Sequence, residues 1–254
     1  MDVIPLQKNV IYGPVASRRL GRSLGLNISP PGGKLCTFDC VYCHYGRRAP
    51  VAPAAVEAAC GFPSPDDVAV ALAGALQETP PPAYITFSGN GEPTLHPAFA
   101  DVVAAVRGAR DRFARTARLA ILSNASTLTD AGVRAALAGL DTVILKLDAG
   151  TAAAWAAINA PAPGIRFEGV VAALAAFDGY TLQSCFVDGV GSNAGEDALE
   201  AYVAVVARLR PRQVQLYTTD RPVGTAGVRK VSVEKLAEIA RRLRDEAGLA
   251  AEVF

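Results

Sequence analysis

Six short apolar runs alternate with longer amphipathic ones through most of the chain, and this alternation limits the folds open to it. Residues 23–28 place Leu24, Leu26 and Ile28 on one side of a strand, and Pro30-Pro31-Gly32-Gly33 ends it. Further strands are expected at 83–87, 119–123, 142–147, 181–187 and 213–217, with a short last one at 252–254. The first clear helix signal is Ser64-Pro65-Asp66-Asp67: a capping serine, proline at the first helical position and acids in the first turn. That helix stops before Pro80-Pro81-Pro82. Helices are also expected at 98–113, 129–140, 150–158, 167–177, 195–209 and 232–247. The last carries Leu236, Ile239, Ala240 and Leu243 on one face behind Ser232. Strands alternating with helices imply right-handed βαβ units and a parallel sheet, so the class is α/β. Six units are too few for a closed eightfold barrel.

A length of 254 residues suits one large domain, and no linker, repeat or low-complexity tract divides it. Hydrophobic residues reach 51%, but alanine supplies much of this, and no run of about eighteen apolar residues appears. The start of the chain lacks a charged stretch followed by an apolar core. A soluble cytoplasmic protein without a membrane partner is expected. Five cysteines, three of them bunched, do not make a disulfide framework, and a reducing compartment fits. The net charge of +1 excludes little, but its distribution is uneven. Lys8, Arg18, Arg19, Arg22, Lys34, Arg47 and Arg48 face only Asp39 between residues 8 and 48. That excess either draws an anion (a phosphate, a nucleotide or a nucleic-acid backbone) or forms a solvated face and counter-ions to a charged centre.

The bunched cysteines, Cys36, Cys40 and Cys43, follow the first strand with the spacing C-x3-C-x2-C. Three thiolates this close cannot serve separate partners and are expected to grip one soft inorganic centre. A structural zinc site wants four ligands. Here the only neighbour that could complete one is His44, and Cys60 and Cys185 are distant singletons. Three thiolates and a gap suit an iron–sulfur cluster with one iron open to a small molecule.

The stretch Cys36-Thr37-Phe38-Asp39-Cys40-Val41-Tyr42-Cys43, with an aromatic before the last cysteine, resembles the signature of the radical S-adenosylmethionine (SAM) enzymes. Gly13-Pro14-Val15-Ala16-Ser17-Arg18-Arg19-Leu20-Gly21 and Ser88-Gly89-Asn90-Gly91-Glu92-Pro93-Thr94-Leu95-His96-Pro97 resemble the branch related to the wyosine-tRNA synthases. The resemblance implies a partial (β/α)6 TIM-like barrel in a single domain over residues 1–254, with 1–22 an extended lead-in and 23–254 the barrel. It also implies a [4Fe-4S] cluster on the three cysteines, with SAM chelated at the fourth iron. Reductive cleavage of SAM would give a 5′-deoxyadenosyl radical that takes hydrogen from a substrate, with a flavodoxin or ferredoxin as external electron donor. Residues 1–35 contain no cysteine, so the second cluster of the wyosine enzymes has no counterpart, and a single-cluster relative is expected.

In barrels of this kind working residues sit at the C-terminal ends of strands. The resemblance assigns Ser88, Gly89, Asn90, Gly91 and Glu92 to the methionine amino group of SAM, with the glycines letting backbone approach the ligand. Ser123 and Asn124 are expected near the methionine carboxylate or ribose, or else as turn formers. Lys146 and Asp148 point inward from the fourth strand, toward ribose and carboxylate or toward each other. Tyr42 and Tyr217 are candidates to pack on adenine, or core aromatics. Arg18 and Arg19 are the substrate-side candidates. Cys60 and Cys185 are expected to be ordinary thiols, unless Cys185 faces the lumen as a hydrogen-atom donor. Two further readings stay open: a radical enzyme acting on a protein or peptide, and a non-catalytic zinc module.

Overall fold

The computed structural model describes residues 3–58 and 61–254, and Cys60 lies outside them. The chain runs β1 (Ile11–Ser17), β2 (Gly21–Asn27), α1 (Pro65–Glu78), β3 (Tyr84–Ser88), α2 (Phe99–Phe113), β4 (Arg118–Ser123), α3 (Ala131–Ala138) and β5 (Thr142–Lys146). It continues through α4 (Ala152–Asn159), α5 (Phe167–Ala175), β6 (Thr181–Cys185), β7 (Val187–Gly189), α6 (Glu196–Leu209), β8 (Gln213–Tyr217), β9 (Val228–Lys230), α7 (Val233–Ala247) and β10 (Ala251–Val253). One eight-stranded sheet has the order β1-β2-β3-β4-β5-β6-β8-β10, parallel throughout except for β1. The order does not return on itself, so the architecture is the expected open, partial barrel. Strands β7 and β9 form a separate antiparallel pair.

Two elements depart from the sequence reading. The stretch expected as an extended lead-in contains β1, which pairs antiparallel with β2. Gly13-Pro14 falls where the register shifts between Tyr12 and Val15, and this irregularity breaks the period-2 pattern that would have revealed a strand. The run expected as one strand at 181–187 divides into β6, which pairs with β8, and β7, which pairs antiparallel with β9.

The strands alternate between two environments, as period-2 side-chain placement requires. Leu24, Leu26, Ile85, Phe87, Leu119, Ile121, Leu145, Leu182, Val214 and Leu216 pack outward with Val68, Leu72, Val102 and Leu236 of the helices in one large core. The opposite face lines the lumen. There a small apolar plug of Leu20, Ala120 and Ile144, flanked by Tyr84 and Leu122, gives way to polar residues. Ser23 Oγ meets Thr86 Oγ1 at 2.7 Å, and Gln183 Nε2 donates to Gln215 Oε1 at 3.0 Å. The capping signals were legible: Ser64 and Asp67 form a reciprocal capping box on α1, and Ser232 accepts from the Lys235 N–H at the start of α7.

The cysteine loop is strapped to the barrel on two sides by main-chain hydrogen bonds. Leu35 bridges Gly91: its N–H donates to Asn90 O at 2.8 Å, and its carbonyl accepts from Glu92 N–H at 2.9 Å. Phe38 bridges Pro161, with Asp39 N–H donating to Asn159 O at 3.0 Å and Val41 N–H to Ile158 O at 2.9 Å. Gly91 is at φ +148, and a Cβ there would lie 1.7 Å from the Leu35 carbonyl oxygen. Gly91→Ala is therefore expected to cost about 2–3 kcal/mol in urea denaturation. Gly74→Ala, in α1 with nothing near its Cβ position, should stabilise by about 0.5–1 kcal/mol. Equal effects at the two glycines would refute the close approach.

Candidate active site

Cys36, Cys40 and Cys43 are free, half-buried thiols on the loop after β2, at the C-terminal end of the strands. The loop is turned locally by Cys43 N–H to Cys40 O at 3.0 Å and Gly46 N–H to Cys43 O at 3.1 Å. Within it, Asp39 is buried and accepts from Lys34 Nζ at 3.1 Å, Arg47 Nε at 2.6 Å and Arg48 N–H at 2.8 Å. Part of the basic excess noted in the sequence is thus local counter-charge. Lys34 is itself buried, with Gly46 O as its second acceptor at 3.1 Å.

The thiols receive donors from other elements. Asn124, after β4, points Nδ2 at Cys36 Sγ (3.6 Å) and Thr37 Oγ1 (2.8 Å). Asn159, the last residue of α4, points Nδ2 at Cys40 Sγ (3.3 Å) and Asp148 Oδ2 (2.7 Å). The Phe38 N–H also donates to Cys36 Sγ at 3.5 Å. Burial pushes the Cys40 thiol up to about 11, with Asp148 adding to the shift, and burial raises Cys36 further. The donor set fits a thiolate-bound group: soft sulfurs with N–H donors aimed at them. Among the described residues no three His, Cys, Asp or Glu side chains are grouped to hold a single metal ion.

Behind the thiols, Asp148 organises the lumen. It is 1% exposed, and its carboxylate accepts from the Tyr42 hydroxyl, Asn159 Nδ2 and the Cys185 N–H (2.7 Å). Lys146 Nζ lies 3.5 Å from Asp148 Oδ1, donates to Tyr217 Oη at 2.7 Å, and stands over the rings of Tyr42 (5.1 Å) and Tyr217 (4.8 Å). Burial alone would lower the Lys146 ammonium, but Asp148 and Tyr217 outweigh it and hold it above its ordinary value. Arg19 stacks on the same Tyr217 ring at 4.8 Å, while Arg18 pairs with Asp220 across the mouth. A cavity of about 380 Å³ opens here, lined by Arg18, Arg19, His44, Ser88, Tyr217 and Arg221 among others.

Other expected residues sit close by but are engaged by the protein. Gly89 and Gly91 make room for the chain: a Cβ on Gly89 would meet Asn27 Oδ1 at 2.7 Å. Asn90 is fully buried, and its amide exchanges two 2.8 Å hydrogen bonds with the Gln7 backbone. Glu92 is buried too. Its oxygens accept from Thr94 Oγ1 (2.6 Å) and the Asn124 N–H (2.6 Å), and burial still raises its pKa. Ser123 Oγ accepts from the Ala125 N–H at 3.1 Å. Cys185 is fully buried on the lumen face, and burial lifts its thiol well above the usual range. Sequence reasoning missed Asn159, which belongs to no motif, and Tyr12, whose ring covers Gly25 and whose hydroxyl meets Ser88.

Because Asp148 serves several donors and Lys146 supplies only one of them, truncating the two should differ. Asp148→Leu is expected to cost about 4 kcal/mol and Lys146→Met about 2 kcal/mol in denaturant unfolding of the iron-free protein. A reversed order would mean that the ion pair, and not the hydrogen-bond hub, holds the lumen together.

Among the described residues no helix is long and apolar enough to cross a membrane. A protein named GTPase Obg from Brachyspira hyodysenteriae is 28% identical over 236 residues, spanning 91% of this chain and 33% of its own length. A UPF0026 protein of Helicobacter pylori is 29% identical over 218 residues, covering 84% and 67%. The chain thus spans a third of the first relative and two thirds of the second. In fold it matches Streptococcus suis SuiB bound to S-adenosylmethionine, with a TM-score of 0.62 and 14% identity, over 87% of this chain and 48% of that one. It matches TYW1 with a lysine-pyruvate adduct bound at a TM-score of 0.60 and 13% identity, over 89% and 74%. The family model of the radical SAM superfamily matches residues 31–193, and the chain belongs to that superfamily of enzymes.

Proposed function

From that membership we propose that Cys36, Cys40 and Cys43 hold a [4Fe-4S] cluster, and that the lumen behind them binds SAM and an anionic substrate. The observation that carries the reading is the convergence of three free thiols, two asparagine donors and the polar lumen at one end of the strands. When bound, the cluster and SAM together supply a 5′-deoxyadenosyl radical for hydrogen abstraction from substrate.

The chain's own residues hold and shield that chemistry. Lys146, kept charged by Asp148, stands behind the cavity and orients Tyr217, which lines it, through a hydrogen bond to its hydroxyl. Ser88 and Tyr217 line the cavity and are retained as cofactor contacts. Gly89, Asn90, Gly91, Glu92, Ser123 and Asn124 act one step back, fixing the loops that shape the site. The apolar plug of Leu20, Ala120 and Ile144 closes the lumen below and limits water.

Arg19 and Arg221 at the cavity mouth support an anionic substrate, a class that includes nucleotides, phosphorylated metabolites and tRNA. Arg18 is already neutralised by Asp220, so Arg19 is the stronger candidate. Flavodoxin or ferredoxin is the proposed electron donor, and the free thiols favour a reducing cytoplasmic setting.

Anaerobic protein reconstituted with iron and sulfide, given dithionite and SAM, should release 5′-deoxyadenosine and methionine, and Cys40→Ala should abolish this. A panel of deuterated anionic metabolites should then place deuterium in 5′-deoxyadenosine. Transfer only from neutral compounds would overturn the anionic assignment, and an iron-loaded protein that never binds SAM would overturn the whole reading.

A further inference from the structure

The two asparagines aimed at the cysteines come from separate parts of the fold, Asn124 from the loop after β4 and Asn159 from the end of α4. Neither belongs to the cysteine loop. We propose that Asn159, assisted by Asn124, is a positioning residue that raises the reduction potential of the cluster by donating to ligand sulfurs. This rests on the reading of Cys36, Cys40 and Cys43 as cluster ligands.

The direction of each amide follows from its second partner. Asn159 lies against Asp148 Oδ2 at 2.7 Å, an ionised oxygen that only accepts. The amide nitrogen must therefore face the carboxylate, and its second hydrogen is shared between Cys40 Sγ and Tyr42 Oη, both at 3.3 Å. The consequence is Asn159 Oδ1, buried without a donor. Turning the amide over would set that oxygen against a carboxylate and a sulfur together, so the orphaned acceptor is the lesser cost. At Asn124 the carbonyl is fixed instead: Oδ1 accepts from the Ser126 N–H at 3.0 Å, which leaves Nδ2 toward Thr37 Oγ1 and Cys36 Sγ.

An N–H directed at a ligand thiolate stabilises the extra negative charge of the reduced state, and burial strengthens the effect. Asn159 has a second influence, because it stands between the Cys40 sulfur and the Asp148 carboxylate. Removing it withdraws a donor and leaves an anion facing the sulfur. Both changes lower the potential. Asn124, at 3.6 Å from its sulfur, should contribute less.

The test is a redox titration of reconstituted protein, followed through the paramagnetic signal of the reduced cluster. At the potential where wild type is half reduced, Asn159→Leu should show a reduced-to-oxidised ratio about tenfold lower, or about 59 mV for a one-electron couple. Asn124→Leu should move the same way by less. An Asn159→Leu protein that holds as much iron as wild type, with an unmoved midpoint, overturns the proposal. If that variant loads no iron, wild type carrying ¹⁵N-labelled asparagine decides in D2O. Electron–nuclear double resonance should find ¹⁵N and exchangeable-deuteron couplings to the reduced cluster, and their absence overturns the proposal. A wild-type chain that takes up no iron sinks the reading of the cysteines along with it.

Discussion

The site depends on the main-chain bridges that hold the cysteine loop. A loop of irregular backbone carries donors and acceptors that must be satisfied wherever it is buried. Here Leu35 satisfies its own on residues 90 and 92, while Asp39 and Val41 donate to the carbonyls at the end of α4. The thiols are thereby positioned by two neighbours that are distant in sequence, one after β3 and one after β5. This makes Gly91 a packing requirement: the bridge brings the Leu35 carbonyl to where any side chain would stand.

Charge within the barrel is organised by the same economy of partners. Asp148 and Glu92 are both buried carboxylates, yet they play different parts. Glu92 is closed off by Thr94 and the Asn124 backbone and ties the strand-end loops together. Asp148 joins the cysteine loop, through Tyr42 and Asn159, to Lys146 and the cavity. A buried charge is tolerated only when it is paired and hydrogen-bonded, and Asp148 meets that condition by linking the cysteine loop to Lys146 in the lumen.

Much of this was legible beforehand. The six expected parallel strands stand in the sheet, the helix caps at Ser64 and Ser232 form as written, and Lys146 and Asp148 do face inward as a pair. What escaped was tertiary. The strand β1 was hidden because Gly13-Pro14 spoils its alternation, so Tyr12 could not be placed against Ser88. The Ser88–Glu92 stretch stands at the end of β3 as expected, but which of its groups engage Leu35, Gln7 and Asn27 depends on contacts across dozens of residues.

From sequence alone came the period of each element, the parallel α/β class and the chemistry of three clustered thiols. These are local properties, set by side-chain spacing and by what sulfur binds. The tertiary structure decided which polar groups are consumed by the protein and which stay available, because partner choice for an asparagine or a carboxylate is settled only when distant segments meet. Asn159 shows the difference: unremarkable in the chain, it lies between Cys40 and Asp148 once α4 is packed against the cysteine loop.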